Sequence, residues 1–224
     1  MKAQQLVRLN KFLAERLGVS RREADDLIAA GKITVNGKTA TTGVKVDKND
    51  KVCYNGKIVP QQAEFSYLAM NKPVGFVCSR RSQGAPTIYE LLPKKYHHLK
   101  SVGRLDKDSS GLILLTNDGD FAFSMTHPKF RKNKVYEVEL DKPLEPLYQQ
   151  MIMDYGVEIG DGVSKFKIIK DKDYYIVILS EGRNRQIRRT FAALGYTVTR
   201  LHRTQFGKYE LGGLAPKKYV IIKP

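Results

Sequence analysis

The sequence predicts an α+β chain in two parts. A small module of two helices and short strands comes first, then a larger domain in which strands alternate with short helices. Three observations carry this. Apolar residues at helical spacing occupy the stretch from Leu6 to Ile28, and Asn-Gly dipeptides punctuate the alternating segments that follow. Beyond the polar break Pro60-Gln61-Gln62-Ala63, strand-like and helix-like patterns recur to the end of the chain. With 224 residues, 42% of them hydrophobic, two cores can be buried, which sets the expected domains at 1–60 and 64–224.

In the first part, Leu6, Leu9, Phe12, Leu13 and Leu17 mark one helix, which Gly18 ends. Ser20-Arg21-Arg22-Glu23 has the spacing of a capping box, where the serine and glutamate satisfy each other's free backbone N–H groups. The helix it opens has a stripe of Ala24, Leu27 and Ile28, and Gly31 stops it. Ile33-Thr34-Val35 reads as a strand entering an Asn36-Gly37 hairpin turn. Val44–Val46 and Val52–Tyr54 are further short strands. In the second part, Phe65 to Met70 reads as a strand closing on the proline-led turn Asn71-Lys72-Pro73-Val74-Gly75. Ser79 to Ala85 is polar and basic, as in a mobile loop, and Thr87-Ile88-Tyr89-Glu90 is a second capping box on a short helix ended by Pro93. His97 and His98 are adjacent, which suits surface residues better than a shared metal site.

Val102 to Gly119 is the most informative stretch. Leu112 to Leu115 is a continuous apolar run bounded by turn residues, which fits a buried strand. Arg104 and Asp106 lie on the loop before it, two apart, so an extended backbone would aim both the same way. A carboxylate beside a guanidinium stays ionised and can serve as nucleophile or base, or simply hold the loop as an ion pair. Asp106, Asp108, Ser110 and Gly111 also fall on positions of a calcium-loop template, but Asn117 stands where the bidentate glutamate belongs.

Downstream, Asp120 is placed to cap a helix over Phe121–Met125 that ends at His127-Pro128. Lys134 to Leu140 alternates as a strand carrying Tyr136. Pro143 to Asp154 has a helical period, and Phe166–Ile169 with Tyr174–Leu179 form a hairpin. Ile187, Phe191 and Leu194 mark an amphipathic helix ringed by Arg185, Arg188 and Arg189 and stopped by Gly195. Its N-terminal dipole adds to that guanidinium cluster. Thr197 to Leu201 is a strand, with His202-Arg203 extending a basic face.

Composition narrows the function classes. Lys and Arg number 39 against 23 Asp and Glu, a formal charge of +16 that points to a polyanion, most simply nucleic acid. Cys53 and Cys78 fall in different regions and near no histidine at ligand spacing, so neither zinc nor a disulfide framework is indicated. Reduced thiols fit a cytoplasmic protein. Met1 to Gln5 leads into no long apolar run, so neither a leader nor a membrane span is expected.

Gly103-Arg104-Leu105-Asp106, Ser109-Ser110-Gly111-Leu112 and Leu114–Gly119 together resemble the signature of the RsuA/RluB-type pseudouridine synthases. Lys72-Pro73-Val74-Gly75, the Lys134-x-Tyr136 strand start and Glu181–Arg189 extend the likeness, and Arg8 to Gly37 resembles an S4 RNA-binding domain. The resemblance implies an S4-like domain followed by a synthase domain built on a mixed, largely antiparallel sheet flanked by helices. It implies isomerisation of a flipped-out uridine to pseudouridine in structured ribosomal RNA, by a monomer without cofactor or metal. The large subunit is favoured because its enzymes commonly show the Glu-Gly-Arg-Asn-Arg-Gln found at 181–186; a small-subunit target is the alternative. In the family pattern Asp106 is the nucleophile, Arg104 and Arg188 hold it charged, Arg188 touches it, Tyr136 packs on the base and Leu201 lies beneath. RNA contacts would come from Arg8, Lys11, Arg21, Arg22, Lys32 and Lys38 in the first domain, and from Arg183, Asn184, Arg185, Gln186 and Arg189 in the second. A non-catalytic ribosome-assembly factor fits the basic module equally well, but would have no use for Asp106, Tyr136 and Arg188 together. A hydrolase would want a second positioned carboxylate, for which Asp108 is the near candidate.

Overall fold

The computed structural model describes residues 6–82 and 84–224; the expectation for Met1–Gln5, and Gln83 within the 79–85 loop, lie outside the described residues. The chain divides into two compact units, one running to Ser66 and taking in Asn117–Gly119, the other comprising Tyr67–Thr116 and Asp120–Pro224.

The first unit contains β1 (Val7–Arg8), α1 (Leu9–Leu17), α2 (Arg21–Ala29), β2 (Ile33–Val35), β3 (Lys38–Thr39), β4 (Lys45–Val46), β5 (Val52–Tyr54) and β6 (Lys57–Ile58). Leu6 is exposed rather than part of the helical stripe, because Val7 and Arg8 pair with β4 and the helix starts only at Leu9. Gly18 ends α1 in the left-handed conformation, at φ 70°. The capping box of α2 is formed: Ser20 Oγ accepts the Glu23 N–H, and the Glu23 carboxylate accepts the Ser20 N–H at 2.6 Å. Asn36 (φ 51°) and Gly37 (φ 81°) both take the left-handed backbone that a two-residue hairpin turn demands. The strands run in the order β3-β2-β5-β6, and Leu9, Phe12, Leu13, Ala24, Ile28 and Ile33 make the core against them.

The second unit is built on β7 (Tyr67–Lys72), β8 (Lys100–Val102), β9 (Ser110–Thr116), β10 (Lys134–Leu140), β11 (Val157–Glu158), β12 (Val163–Ser164), β13 (Lys167–Asp171), β14 (Tyr174–Leu179), β15 (Val198–Phe206), β16 (Tyr209–Glu210) and β17 (Tyr219–Ile221). Its helices are α3 (Gly119–Thr126), α4 (Pro146–Asp154) and α5 (Gln186–Ala193). The main sheet runs β13-β14-β10-β15-β9-β7-β17, with β16 on β15 and β8 on β9. Every pairing in it is antiparallel except β9 with β15, which is parallel. The sheet is therefore mixed and largely antiparallel.

The run Leu112–Leu115 is apolar throughout because β9 is buried on both faces. Ile113 and Leu115 enter the larger core with Leu68, Met70 and Val138, while Leu112 and Leu114 face the opposite way with Val102, Met125 and Phe206. Several boundaries differ from the sequence reading. The strand expected from Phe65 starts at Tyr67 and runs on through Lys72. Helix α3 begins at Gly119, which puts Asp120 in its first turn rather than at its cap. The strand expected to stop at Leu201 continues to Phe206, so Arg203 is not on a basic face but is 2% exposed, inside the sheet.

Candidate active site

The loop from Gly103 to Ser109 is fastened to the sheet at several points. Lys72 is fully buried at the end of β7, and its Nζ donates to the carbonyls of Ser109 (2.6 Å), Asp106 (2.9 Å) and Pro73 (3.0 Å). The Gly75 N–H donates to the Lys107 carbonyl at 2.7 Å, and Cys78 Sγ lies 3.4 Å from both the N–H and the carbonyl of Leu105. So the Asp106 backbone is held on both sides while its carboxylate stays about one-third exposed, at 32%. Burial pulls the Lys72 ammonium down to about 8, opposed by the nearby Asp106 and Asp108 charges. The sequence places Lys72 in a proline-led turn that resembles the family pattern, and assigns it no role in the site. Its signal was position: it continues the inward run of β7.

The charge partners differ from those expected. Arg104 is exposed and pairs with no carboxylate among the described residues. Arg185 approaches Asp106 instead, with Nη1 at 3.5 Å from Oδ2. It also grips Asp108 in a bidentate fork, 2.9 Å to each oxygen. Arg185 takes the left-handed backbone at φ 46° just before α5, which turns its side chain over the loop. Arg188 does not contact the Asp106 carboxylate. It donates from Nη2 to the Asp108 carbonyl and from Nη1 to the Val198 carbonyl, both at 2.8 Å, and so ties the loop to the start of β15. Hydrogen bonding from Arg185 holds the Asp108 carboxyl below its ordinary range, with burial opposing and Arg188 assisting. With Asp108 so occupied, the loop does not present the carboxylate set of a calcium site.

Arg104, Asp106 and Arg185 border a cavity of about 310 Å³. Tyr136 on β10 sits opposite Arg203 on β15, and Leu201 is two residues along the same strand, so the three share one face of the sheet. They form its floor, 8%, 2% and 7% exposed for Tyr136, Arg203 and Leu201. Asp106, Arg104 and Arg185 stand at its rim with Asn184.

Of the second-domain residues expected to meet RNA, three are turned into the protein. Arg183 donates to the carbonyls of Gly162 (2.9 Å) and Val163 (2.8 Å) and pairs with Glu181 at 3.0 Å. Arg189 donates to the carbonyls of Ile159 (2.8 Å) and Asn184 (2.9 Å) and pairs with Asp161 at 2.8 Å. Gln186 is buried, donating to Ser164 Oγ and the Glu181 carboxylate. The turn-rich segment before β12 leaves carbonyls without strand partners, and these side chains supply the donors. Asn184 and Arg185 remain exposed. In the first unit Arg8, Arg21, Arg22, Lys32 and Lys38 are exposed, the two arginines in the first turn of α2, while Lys11 is half-buried beside Glu15 at 3.7 Å.

Residues 66–193 match the family model described as RNA pseudouridylate synthase, and residues 7–52 match the S4 domain. The chain belongs to the RNA pseudouridine synthase family. Among relatives of this synthase, ribosomal small subunit pseudouridine synthase A of Pasteurella multocida is 39% identical over 214 residues, covering 92% of this chain and 90% of the relative. Ribosomal large subunit pseudouridine synthase B of Bacillus subtilis is 36% identical, covering 92% and 88%. The dual-specificity RNA pseudouridine synthase RluF of Escherichia coli is 39% identical, covering 93% and 72%. A crystal structure of a pseudouridylate synthase superposes with a TM-score of 0.70 at 33% identity, covering 97% of this chain and 96% of the other. Among the described residues of this synthase, no group of His, Cys, Asp and Glu is placed to hold a metal, and no helix is long and apolar enough to cross a membrane.

Proposed function

We propose that this synthase isomerises a uridine of ribosomal RNA, with Asp106 as the nucleophile. One observation carries the reading. Of the two carboxylates bordering the cavity, Glu181 is engaged by Arg183 and Gln186, whereas Asp106 is rigidly based, partly open and 3.5 Å from Arg185. Arg185, at the place expected of Arg188, faces the Asp106 carboxylate; Arg188 acts on it through the Asp108 backbone. The target base would pack on Tyr136, with Leu201 beneath it.

In the reaction the bond between N1 of the base and C1′ of the ribose breaks, the base turns, and C5 bonds to C1′. One proton leaves C5 and one is gained at N1, so no oxidant or group donor enters. Asp106 attacks the sugar carbon or removes the neighbouring 2′ proton. Extruding the uridine costs a few kcal/mol of stacking, which the exposed cations of the S4 part offset through phosphate contacts. The Glu181–Gln186 sequence supports the large-subunit RNA, and the 39% identity to a small-subunit enzyme supports the other.

The test is chemical mapping of pseudouridine in unmodified transcripts of both ribosomal RNAs, treated with the wild type or with Asp106→Asn. A new pseudouridine made by the wild type alone is expected, and its position names the subunit. Asp106→Asn should bind the RNA within about twofold of the wild type, since one rim carboxylate contributes little to phosphate-dominated affinity. If transcripts stay unmodified, and RNA from cells lacking the protein keeps every pseudouridine, the assembly-factor reading replaces this one.

A further inference from the structure

Arg203 is among the largest fully buried side chains of the protein, yet it has no anion. A guanidinium offers five N–H donors and is always charged. Arg203 uses one, from Nε to the Leu112 carbonyl at 2.8 Å. Its Nη2 is buried without an acceptor, and among the described residues it forms no ion pair. Its other neighbours are aromatic faces, Phe206 with its centroid 4.9 Å from Cζ and Tyr136 at 6.0 Å. These compensate a buried cation only in part. A second cation stands close by. Lys134 is pulled down to about 8, first by burial and then by the Arg203 charge. The floor of the cavity is thus positive and short of acceptors.

The position of Arg203 is fixed relative to Asp106. Its backbone lies against Gly111, so close that a Cβ there would stand 2.2 Å from the Arg203 carbonyl oxygen. Gly111 follows Asp106 by five residues on the fastened loop and strand. The charge therefore sits on the floor at a set distance from the rim carboxylate, beside the tyrosine expected to carry the base.

We infer that Arg203 donates to a carbonyl oxygen of the target uracil and holds the negative charge the base acquires as it leaves the sugar. This rests on the uridine reading above. When the N1–C1′ bond breaks, its electron pair stays on N1 and spreads to O2 and O4 of the ring. Meanwhile the Asp106 carboxylate is bonded to C1′, or holds the proton taken from C2′. The pair returns through C5 as the C5–C1′ bond forms; the Asp106–C1′ bond breaks, or the C2′ proton is returned, and the C5 proton is lost while N1 is protonated. A cation held under the ring throughout keeps the detached base in place while it turns. Such a contact strengthens as charge develops and so acts on turnover more than on binding.

The experiment compares the wild type with Arg203→Met and Arg203→Lys on RNA carrying uridine, 2-thiouridine or 4-thiouridine at the mapped site. Sulfur is a poor hydrogen-bond acceptor. Expected is a loss of about 100-fold in turnover for Arg203→Met with RNA affinity within about twofold. Arg203→Lys should recover about tenfold of that loss by restoring the charge. Sulfur at one of the two positions should slow the wild type but leave Arg203→Met unaffected, which a purely structural arginine would not produce. Turnover of Arg203→Met within about threefold of the wild type overturns the inference. So do equal sulfur penalties in both proteins. A wild type indifferent to sulfur at both positions overturns it even if the methionine variant does not fold. A wild type that makes no pseudouridine from uridine removes the underlying reading, and this inference with it.

Discussion

The parallel contact of β9 with β15 rests on one missing side chain, which makes Gly111→Ala a sharp test of how the site is assembled. The backbone there is at φ 104°, a conformation L-residues rarely adopt, costing about 1–3 kcal/mol. The added methyl would also lie 2.2 Å from the Arg203 carbonyl oxygen, 2.6 Å from its nitrogen and 2.8 Å from its carbonyl carbon. All three are backbone atoms, so no side chain can rotate away, and overpacking adds about 1–3 kcal/mol. Together these predict a loss of about 2–6 kcal/mol. For a unit of this size that lowers Tm by roughly 4–24 °C. Calorimetry and urea unfolding, read on the larger unit's transition, measure it. Gly213→Ala is the control, since a Cβ there meets nothing within 4 Å and φ is not positive. It should stay within about 0.5 kcal/mol. A Gly111→Ala loss below about 1 kcal/mol would refute the reasoning, because it would mean that the two strands can separate at little cost. Where the variant survives, turnover should fall more than RNA affinity, since the change displaces Arg203 from the Asp106 loop.

Lys72→Met tests the buried ammonium through pH. Its folded-state value of about 8 lies below the ordinary 10.5, so between those values the unfolded chain binds the extra proton and wild-type stability gains with rising pH. The wild type should therefore strengthen relative to Lys72→Met from pH 7 to pH 10 in urea unfolding; a gap that stays flat or shrinks contradicts the assignment. Arg21→Ala with Arg22→Ala removes two exposed cations and should flatten the slope of log affinity against log salt by about 1.4–1.8. An unchanged slope would take that helix off the RNA. Arg183→Met should do the opposite. It unties the carbonyls of Gly162 and Val163, so Tm should drop with the salt slope unaltered, and a flattened slope would return Arg183 to the RNA surface.

Much of the framework was legible in the residues because local chemistry decides it. The Ser20–Glu23 box, the Asn36-Gly37 turn, the Gly18 stop and the Lys134–Leu140 strand each depend on neighbours a few residues away. The tight β9–β15 contact and the length of β15 were not legible, because pairing between residues about ninety apart leaves no period in the sequence. The direction of Arg203 had one available clue: continuing the alternation from Leu201 puts it on the inward face. The basic character of its neighbours outweighed that clue.

The arginines of the Glu181–Arg189 stretch show why the site was harder to read than the fold. Spacing identifies a cluster at 183–189, but a guanidinium pairs with whichever acceptor lies within its reach, and most acceptors here are carbonyls from distant segments. Arg183, Arg188 and Arg189 thereby became fasteners, and Arg185 alone of the four faces the rim carboxylate. The same distinction bears on the formal charge of +16. Lys72, Lys134, Arg183, Arg188, Arg189 and Arg203 are engaged or enclosed in the second unit and cannot each displace a counterion from RNA. On the proposed reading, phosphate contacts would fall to the exposed cations, Arg8, Arg21, Arg22, Lys32 and Lys38 of the first unit and others such as Arg80, Lys107 and Lys129 of the second. Affinity and chemistry would then draw on different cations, so substitutions at the cavity floor should change turnover with little effect on salt dependence, and those on α2 the reverse.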